Sequence, residues 1–181
     1  MAGSPVVVLD IGASKVVCVV GEAYDRGEAR ILGFGNSPCT ALRRNVVIDM
    51  PHLVESIQAA VNEAERTSGL RINGAYTGIA GEGIHARAAR STVSIAGVAK
   101  PIDNDDVRRA MDAAEQAAPS EGEIVMHRFV QRYAVDNQTV QNPQLLHGTK
   151  LEVETLTIAA ERQACTTLQR AVDQAGVDIA G

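Results

Sequence analysis

Leu9-Asp10-Ile11-Gly12-Ala13-Ser14-Lys15 decides the reading of this chain, because of what stands on each side of it. Before it, Pro5-Val6-Val7-Val8-Leu9-Asp10 is an unbroken run of β-branched and aliphatic residues, the pattern of a buried strand. After it, Val16-Val17-Cys18-Val19-Val20 is a second such run. The two are separated by a tight turn, Ile11 to Lys15, so they pair as neighbours. Tyr24 to Glu28, with Gly27 inside, reads as another hairpin turn leading to a third strand over Ala29 to Gly35. Three strands joined by short turns make an antiparallel meander.

Outward from the meander the period changes to that of a helix. Leu53, Val54, Ile57, Ala60, Val61 and Ala64 share one helical face, Asp49 is placed to cap it, Pro51 sits in its first turn and Gly69 follows its end. Ala75 to Ala80 reads as a fourth strand, so the sheet is expected to be mixed, with a crossover. From about Gly83 the character changes. Thr92 to Ile95 is strand-like, and Asp103 caps a short helix with Asp105 and Asp106 in its first turn. Val107, Ala110, Met111 and Ala114 form that helix's apolar stripe, and Pro119 ends it. Glu123 to Val135 and Thr149 to Ile158 are expected as longer strands around a polar loop, Asp136 to Gly148. Leu151 and Val153 fall on one parity and Leu156 and Ile158 on the other, which asks for a bulge or a strand that passes between two cores. Cys165, Leu168, Ala171, Val172 and Ala175 line a last helix ending at Gly176. Val177 to Gly181 then reads as a strand only begun, so the chain is expected to be cut short there.

The organisation expected is therefore a mixed α/β chain. Residues 1–82 form the first part of one subdomain, residues 83–158 an inserted α+β subdomain of strand, helix, strand and strand, and residues 159–181 a return to the first. The inserted part should be the more protected, with slower exchange at Val125 to Phe129 and Leu151 to Val153 than at Val6 to Leu9. The cut should leave a bare apolar edge beside Val6 to Leu9 and cause self-association.

Composition limits the function classes. Of 181 residues 45% are hydrophobic and 22% charged, as in an ordinary globular protein, so the chain is neither disordered nor fibrous. The formal net charge is −5, so no broad basic field recommends nucleic acid or anionic lipid as a partner. With no Trp, two Phe and three Tyr, the core must be aliphatic. Cys18, Cys39 and Cys165 have neither disulfide-framework nor zinc spacing and read as reduced thiols of a cytosolic protein. The apolar runs are far too short to span a bilayer.

For chemistry, the Asp10 to Lys15 turn stands first. Its amides, the Ser14 hydroxyl and the Lys15 ammonium can cradle phosphates, and Asp10 can hold magnesium through water. It has neither the P-loop nor the dinucleotide spacing, and taken alone it reads first as an ordinary hairpin turn. His52, His85, His127 and His147 show no ligand spacing. Ser14 has no visible His and acid partners, Asp103, Asp105 and Asp106 are explained by helix capping, and Arg43-Arg44 reads as a solvated loop pair.

Four stretches then resemble the FtsA family of bacterial actin-like cell-division proteins. They are LDIGASKVVCVVGE (9–22), PCTALRRNVVIDM (38–50), GIAGEGI (78–84) and HRFVQRYAVDNQTVQNPQLLHGTKLEVETLTI (127–158). The first is shared across actin-like proteins; the last, similar to the family pattern VDxxxxIxNPxGxxGxxLE, is more specific. The resemblance implies the N-terminal part of an actin-like ATPase (RNase H-like) fold carrying an inserted subdomain. It implies ATP and Mg2+ as cofactors, with Asp10, Gly12, Ala13, Ser14 and Lys15 on the first phosphate loop, Asp10 toward the metal, and no catalytic residue beyond at most a weak ATPase. It implies self-association, later division proteins binding the inserted subdomain, and FtsZ binding and a membrane-attaching C-terminal helix in regions beyond this chain, at the cytoplasmic face of the inner membrane. Ala13 replaces the family's usual hydroxyl residue, Asn45 and Leu145 stand where Gly is usual, and Gly83 and Gln144 also depart from the pattern. Similar openings occur in PilM-type pilus-assembly proteins and in sugar and acetate kinases, the two alternatives.

Overall fold

A computed structural model describes residues 5–24, 28–44, 46–81, 83–95, 100–115 and 121–181. The chain divides into two units, Met1–Gly83 with Gln163–Gly181, and Ile84–Arg162. The turn at Gly27, Asn45 and the helix stop at Pro119 lie outside the described residues.

In the first unit β1 (Pro5–Ile11), β2 (Lys15–Ala23) and β3 (Ala29–Pro38) form the antiparallel meander. A small hairpin follows, β4 (Leu42–Arg43) with β5 (Val46–Val47), and then helix α1 (Met50–Ser68) and β6 (Gly74–Thr77). β6 returns parallel to β1, pairing Val8 with Tyr76 and Leu9 with Thr77. After the second unit come α3 (Arg162–Gln174) and β11 (Asp178–Ile179), giving the sheet order β11-β6-β1-β2-β3. The core joins Leu9, Val16, Cys18 and Val20 of the sheet to Leu53, Ile57, Ala60 and Ala64 of α1 and to Ala171 and Val172 of α3.

Sequence dictates α1 at both ends. Asp49 Oδ1 accepts the His52 N–H at 3.1 Å, and Gly69, at φ 72°, donates its N–H to Glu65 O at 2.8 Å. The helix lies so close to β3 that a Cβ on Gly35 would stand 1.9 Å from Ala60 O. Its side chains also satisfy the outer edge of that strand. Thr67 Oγ1 accepts the Phe34 N–H at 2.9 Å, and Glu63 Oε2 accepts the Asn36 N–H at 2.8 Å.

Two expectations are corrected here. The strand expected to reach Ala80 ends at Thr77. The bare edge expected beside Val6 to Leu9 does not exist, because β6 pairs with β1 and residues 178–181 line the far side of β6. Asp178 N–H donates to Asn73 O at 2.8 Å, Ala180 N–H to Ala75 O at 2.9 Å, and Thr77 N–H to Gly181 O at 2.9 Å.

The second unit comprises β7 (Ile84–Ser94), α2 (Asn104–Glu115), β8 (Glu123–Val135), β9 (Gln138–Val140) and β10 (Lys150–Glu161), with sheet order β7-β10-β8-β9. Its core holds Ile102, Ala110, Ala114, Leu151 and Val153. Asp103 Oδ1 accepts the Asp106 N–H at 2.9 Å and Asp106 Oδ2 accepts the Asp103 N–H at 3.2 Å, a reciprocal cap at the start of α2. Lys100 Nζ, 2.6 Å from Asp103, holds that carboxyl at about 2, with the Asp106 amide bond adding to the effect.

β7 begins eight residues before Thr92, where the short alternation of Ile84, Ala86 and Ala88 marks no core face, Ala86 and Ala88 being exposed, and pairing with β10 carries the strand. The parity change in β10 also has a different cause from the one expected. β10 runs in unbroken register with β7, and buried Thr155 keeps its place on the core face. The register shifts lie in the ladder with β8, which leaves Gln131 and Met126 of β8 without partners. Leu156 and Ile158 therefore sit on the opposite sheet face.

Candidate phosphate loop

β1 and β2 are pinned by buried Leu9 and Val16, so the turn between them has little freedom. Gly12 N–H donates to Lys15 O at 2.9 Å and closes the hairpin, which removes that amide from any ligand. Cys39 N–H donates to Ser14 O at 3.1 Å and ties the turn to the start of the next loop. Ala13, Ser14 and Lys15 are exposed, as is Asp10 one step back on β1. The turn thus offers the amides of Ala13 and Ser14, one hydroxyl, one ammonium and one carboxylate at one end of the sheet.

Because β1 and β6 are parallel, their C-terminal ends emerge together. The turn and the Gly78-Ile79-Ala80-Gly81 segment after β6 therefore share that end, the position at which open α/β sheets take ligands. A small cleft, open to solvent, lies there, lined by Ile11, Leu42, Val47, Gly78, Ile79 and Leu168 among others. The hydroxyl of Thr77, last residue of β6, is buried and has no hydrogen-bond partner.

These donors suit a phosphate chain with a magnesium ion. Mg2+ keeps several waters and needs few protein carboxylates, so Asp10 would suffice for it, while the amides and Lys15 would serve the phosphate oxygens. Among the described residues no group of three or more His, Cys, Asp and Glu could hold a metal by itself. Asp103, Asp105 and Asp106 are occupied in capping α2 and in ion pairs with Lys100, Arg108 and Arg109. Arg43 and Arg44 are exposed beside the β4–β5 turn, Arg44 at φ 49°.

The histidines are likewise dispersed. His85 Nε2 lies 3.7 Å from Glu123, and the His127 ring stacks on Phe129 with centroids 5.9 Å apart. Burial, reinforced by the Glu65 charge, pushes the Cys18 thiol up to about 11, so it is an inert core residue.

Sequence reasoning missed one polar cluster. The Asp136 carboxylate accepts the Thr149 N–H at 3.0 Å, the Thr149 hydroxyl at 2.8 Å and the Lys150 N–H at 2.9 Å. Those bonds, the Thr149 hydroxyl first, hold its carboxyl below the usual carboxylate range. Asp136 and Asn137 both have positive φ, 46° and 69°, the two central residues of the β8–β9 hairpin. The Asp136-Asn137 pair was the signal that would have found it.

Comparison with known proteins matches residues 81–159 to the family "SHS2 domain inserted in FTSA". The chain is 34% identical over 179 residues to cell division protein FtsA of Pseudomonas aeruginosa, covering 98% of itself and 42% of that protein. It is 31% identical to the Bacillus subtilis FtsA, over 94% of itself and 39% of the relative, and 26% identical to the Escherichia coli FtsA, over 96% and 41%. Among solved structures, one titled PilM-PilN type IV pilus biogenesis complex aligns with TM-score 0.63 at 16% identity, covering 97% of this chain and 46% of that one, a likeness of fold. The fold is actin-like, with an inserted domain, and the chain spans about two-fifths of the length of the curated relatives it matches. By sequence along nearly its whole length, this chain is similar to cell division proteins named FtsA.

Proposed function

We propose that this chain serves in bacterial cell division, its first unit contributing one wall of an ATP-magnesium site and its second unit docking other division proteins. The observation that carries the reading is the identity to cell division proteins named FtsA over 94–98% of the chain. Within the first unit, Ala13 and Ser14 supply amides, Ser14 and Lys15 the hydroxyl and charge for phosphate oxygens, and Asp10 the carboxylate for a hydrated magnesium. Gly12 shapes the turn. The bound magnesium supplies charge neutralisation for the phosphates, and no catalytic residue is assigned. Ala13 leaves that wall one hydroxyl poorer than the family pattern.

Self-association belongs to the same reading. FtsZ binding and attachment to the cytoplasmic face of the inner membrane are assigned to parts of FtsA-family proteins outside these 181 residues. Among the described residues no helix is long and apolar enough to cross a membrane.

A chimaera in which residues 1–181 replace the matching stretch of the Pseudomonas aeruginosa relative tests the reading. Septation in cells depleted of their own protein is the expected result, with Lys15→Ala reducing it. Filamentous growth from a stable, well-expressed chimaera would overturn it.

A further inference from the structure

The sheet edges of this chain are treated unequally. β3 is capped by Thr67 and Glu63, and β11 is two residues long. In the second unit β8 is covered at one end by β9 and interrupted at Gln131 and Met126. β7 is different. It is an edge strand of eleven residues, in register with β10 throughout, with no strand on its other side among the described residues. Every second residue of such a strand turns its N–H and C=O outward. Proline, bulges or free charges usually blunt an edge of this length. β7 has no proline and no bulge, and its two arginines are engaged: Arg87 is bidentate to Glu123 at 2.5 and 2.8 Å, and Arg90 pairs with Glu152.

An outward ladder of alternating donors and acceptors is matched by one kind of occupant, an extended backbone. The uncovered sheet face says which side chains it should carry. Residues opposite one another form rows: Ala86 with Ile158 and His127, Ala88 with Leu156 and Phe129, and Arg90 with Glu154 and Arg132. The first two rows are mainly apolar, and Ala86 and Ala88 are short and exposed at their outer ends. The third alternates positive, negative, positive, so an acid continues it. A second copy of this chain does not fit, since β7 holds two arginines and no acid and would set like charges edge to edge.

We infer that the β7 edge receives an extended segment of a different division protein, added antiparallel, with apolar residues beside Ala86 and Ala88 and an acid beside Arg90. The inference deepens the docking role proposed for the second unit and rests on it.

The test is titration of the 15N-labelled 181-residue chain with the capped peptide Thr-Glu-Thr-Val-Thr-Val-Thr, whose antiparallel order sets Glu beside Arg90 and the two Val beside Ala88 and Ala86. Saturable shifts and at least tenfold slower hydrogen exchange at alternate amides within residues 84–94 are expected. Replacing the central Thr-Val by Pro-Val, or the Glu by Lys, should weaken binding at least tenfold. So should Ala88→Lys in the chain; the proline peptide needs no variant, so a misfolded variant leaves the test intact. Absence of β7 shifts at millimolar peptide, equal binding of the proline peptide, or concentration-dependent protection of β7 without peptide would each overturn the inference. A chimaera that still septates while its β7 ignores the peptide would separate failure of the edge from failure of the functional reading.

Discussion

Gly35→Ala is expected to be the most damaging small substitution in the first unit. The ideal Cβ would stand 1.9 Å from Ala60 O and 2.7 Å from Ala64 N, both backbone atoms of α1 that no rotamer change can move. Ordinary contact begins near 3.4 Å, so the helix must retreat by about 1.5 Å. That retreat lifts Leu53, Ile57, Ala60 and Ala64 from the sheet. Overpacking of this kind costs ~1–3 kcal/mol. The same movement lengthens the two bonds from Thr67 and Glu63 to the β3 edge, at ~1 kcal/mol each.

The sum is ~3–5 kcal/mol, a large share of the ~5–15 kcal/mol that holds a domain folded. Urea unfolding by far-UV circular dichroism measures the loss, and hydrogen exchange at Leu9 to Val20 against Leu151 to Val153 assigns it to the first unit. Two controls separate causes. Gly78→Ala meets open space and should change stability by less than ~0.5 kcal/mol. Gly69→Ala also meets open space but at φ 72°, and should cost ~1–2 kcal/mol through backbone strain alone. If Gly35→Ala costs less than Gly69→Ala, α1 is free to slide and the close-packing argument is wrong.

Further outcomes follow from other sites. Leu145 stands at φ 64° with 79% of its surface exposed, so Leu145→Gly should stabilise the second unit against urea by ~1 kcal/mol or less, and a fall in stability would refute the strain argument. Asp136 and Asp103 have lowered carboxyl pKa values, so the stability they add is present above pH ~4 and lost as pH falls through the folded values, for Asp103 toward about 2. Asp136→Asn should flatten the second unit's acid-unfolding profile below pH ~4, and an unchanged profile would count against the clasp. Calorimetry should find magnesium-dependent ATP binding by this chain weaker than micromolar, because one wall of a cleft cannot exclude water from the ligand. In exchange experiments Val6 to Leu9, on a strand paired on both sides, should outlast Val125 to Phe129, where Val125, Met126 and Phe129 are exposed. That reverses the order expected from the sequence, which could not show which strand would be central.

What was legible from sequence was whatever is local. The period of α1, the cap at Asp49, the stop at Gly69 and the three-strand meander are each encoded within a few residues of where they act. What was not legible is set by partners far along the chain. Ile84 to Ser91 forms a strand because β10 lies beside it, the length of β6 is fixed by β1 and β11, and β8 absorbs the two register shifts. β9 was hidden inside a polar loop, since three residues closing a tight hairpin need no apolar alternation.

The two stretches that mattered most for function differ in what they do physically. The turn carrying Asp10, Ser14 and Lys15 has the chemistry, yet its pattern is that of many hairpins, and only the parallel pairing of β1 with β6 brings it beside a second glycine-containing segment. The stretch from Asp136 to Leu151 is the more specific family signature, and nearly all of it is clasp. Asp136 gathers three donors from Thr149 and Lys150, Gly148 leaves room for Val135 where a Cβ would stand 2.3 Å from its Cγ1, and Ile102 exchanges backbone bonds with Leu145 and Leu146. Each of these fixes where β10 begins, and so which side chains of β10 face the core. A one-residue error there would turn Leu151 and Val153 to solvent. The pattern is therefore specific because register is unforgiving. It marks the inserted domain through register, while the Asp10 to Lys15 turn offers donors that would suit a phosphate in a pattern too common to mark a family.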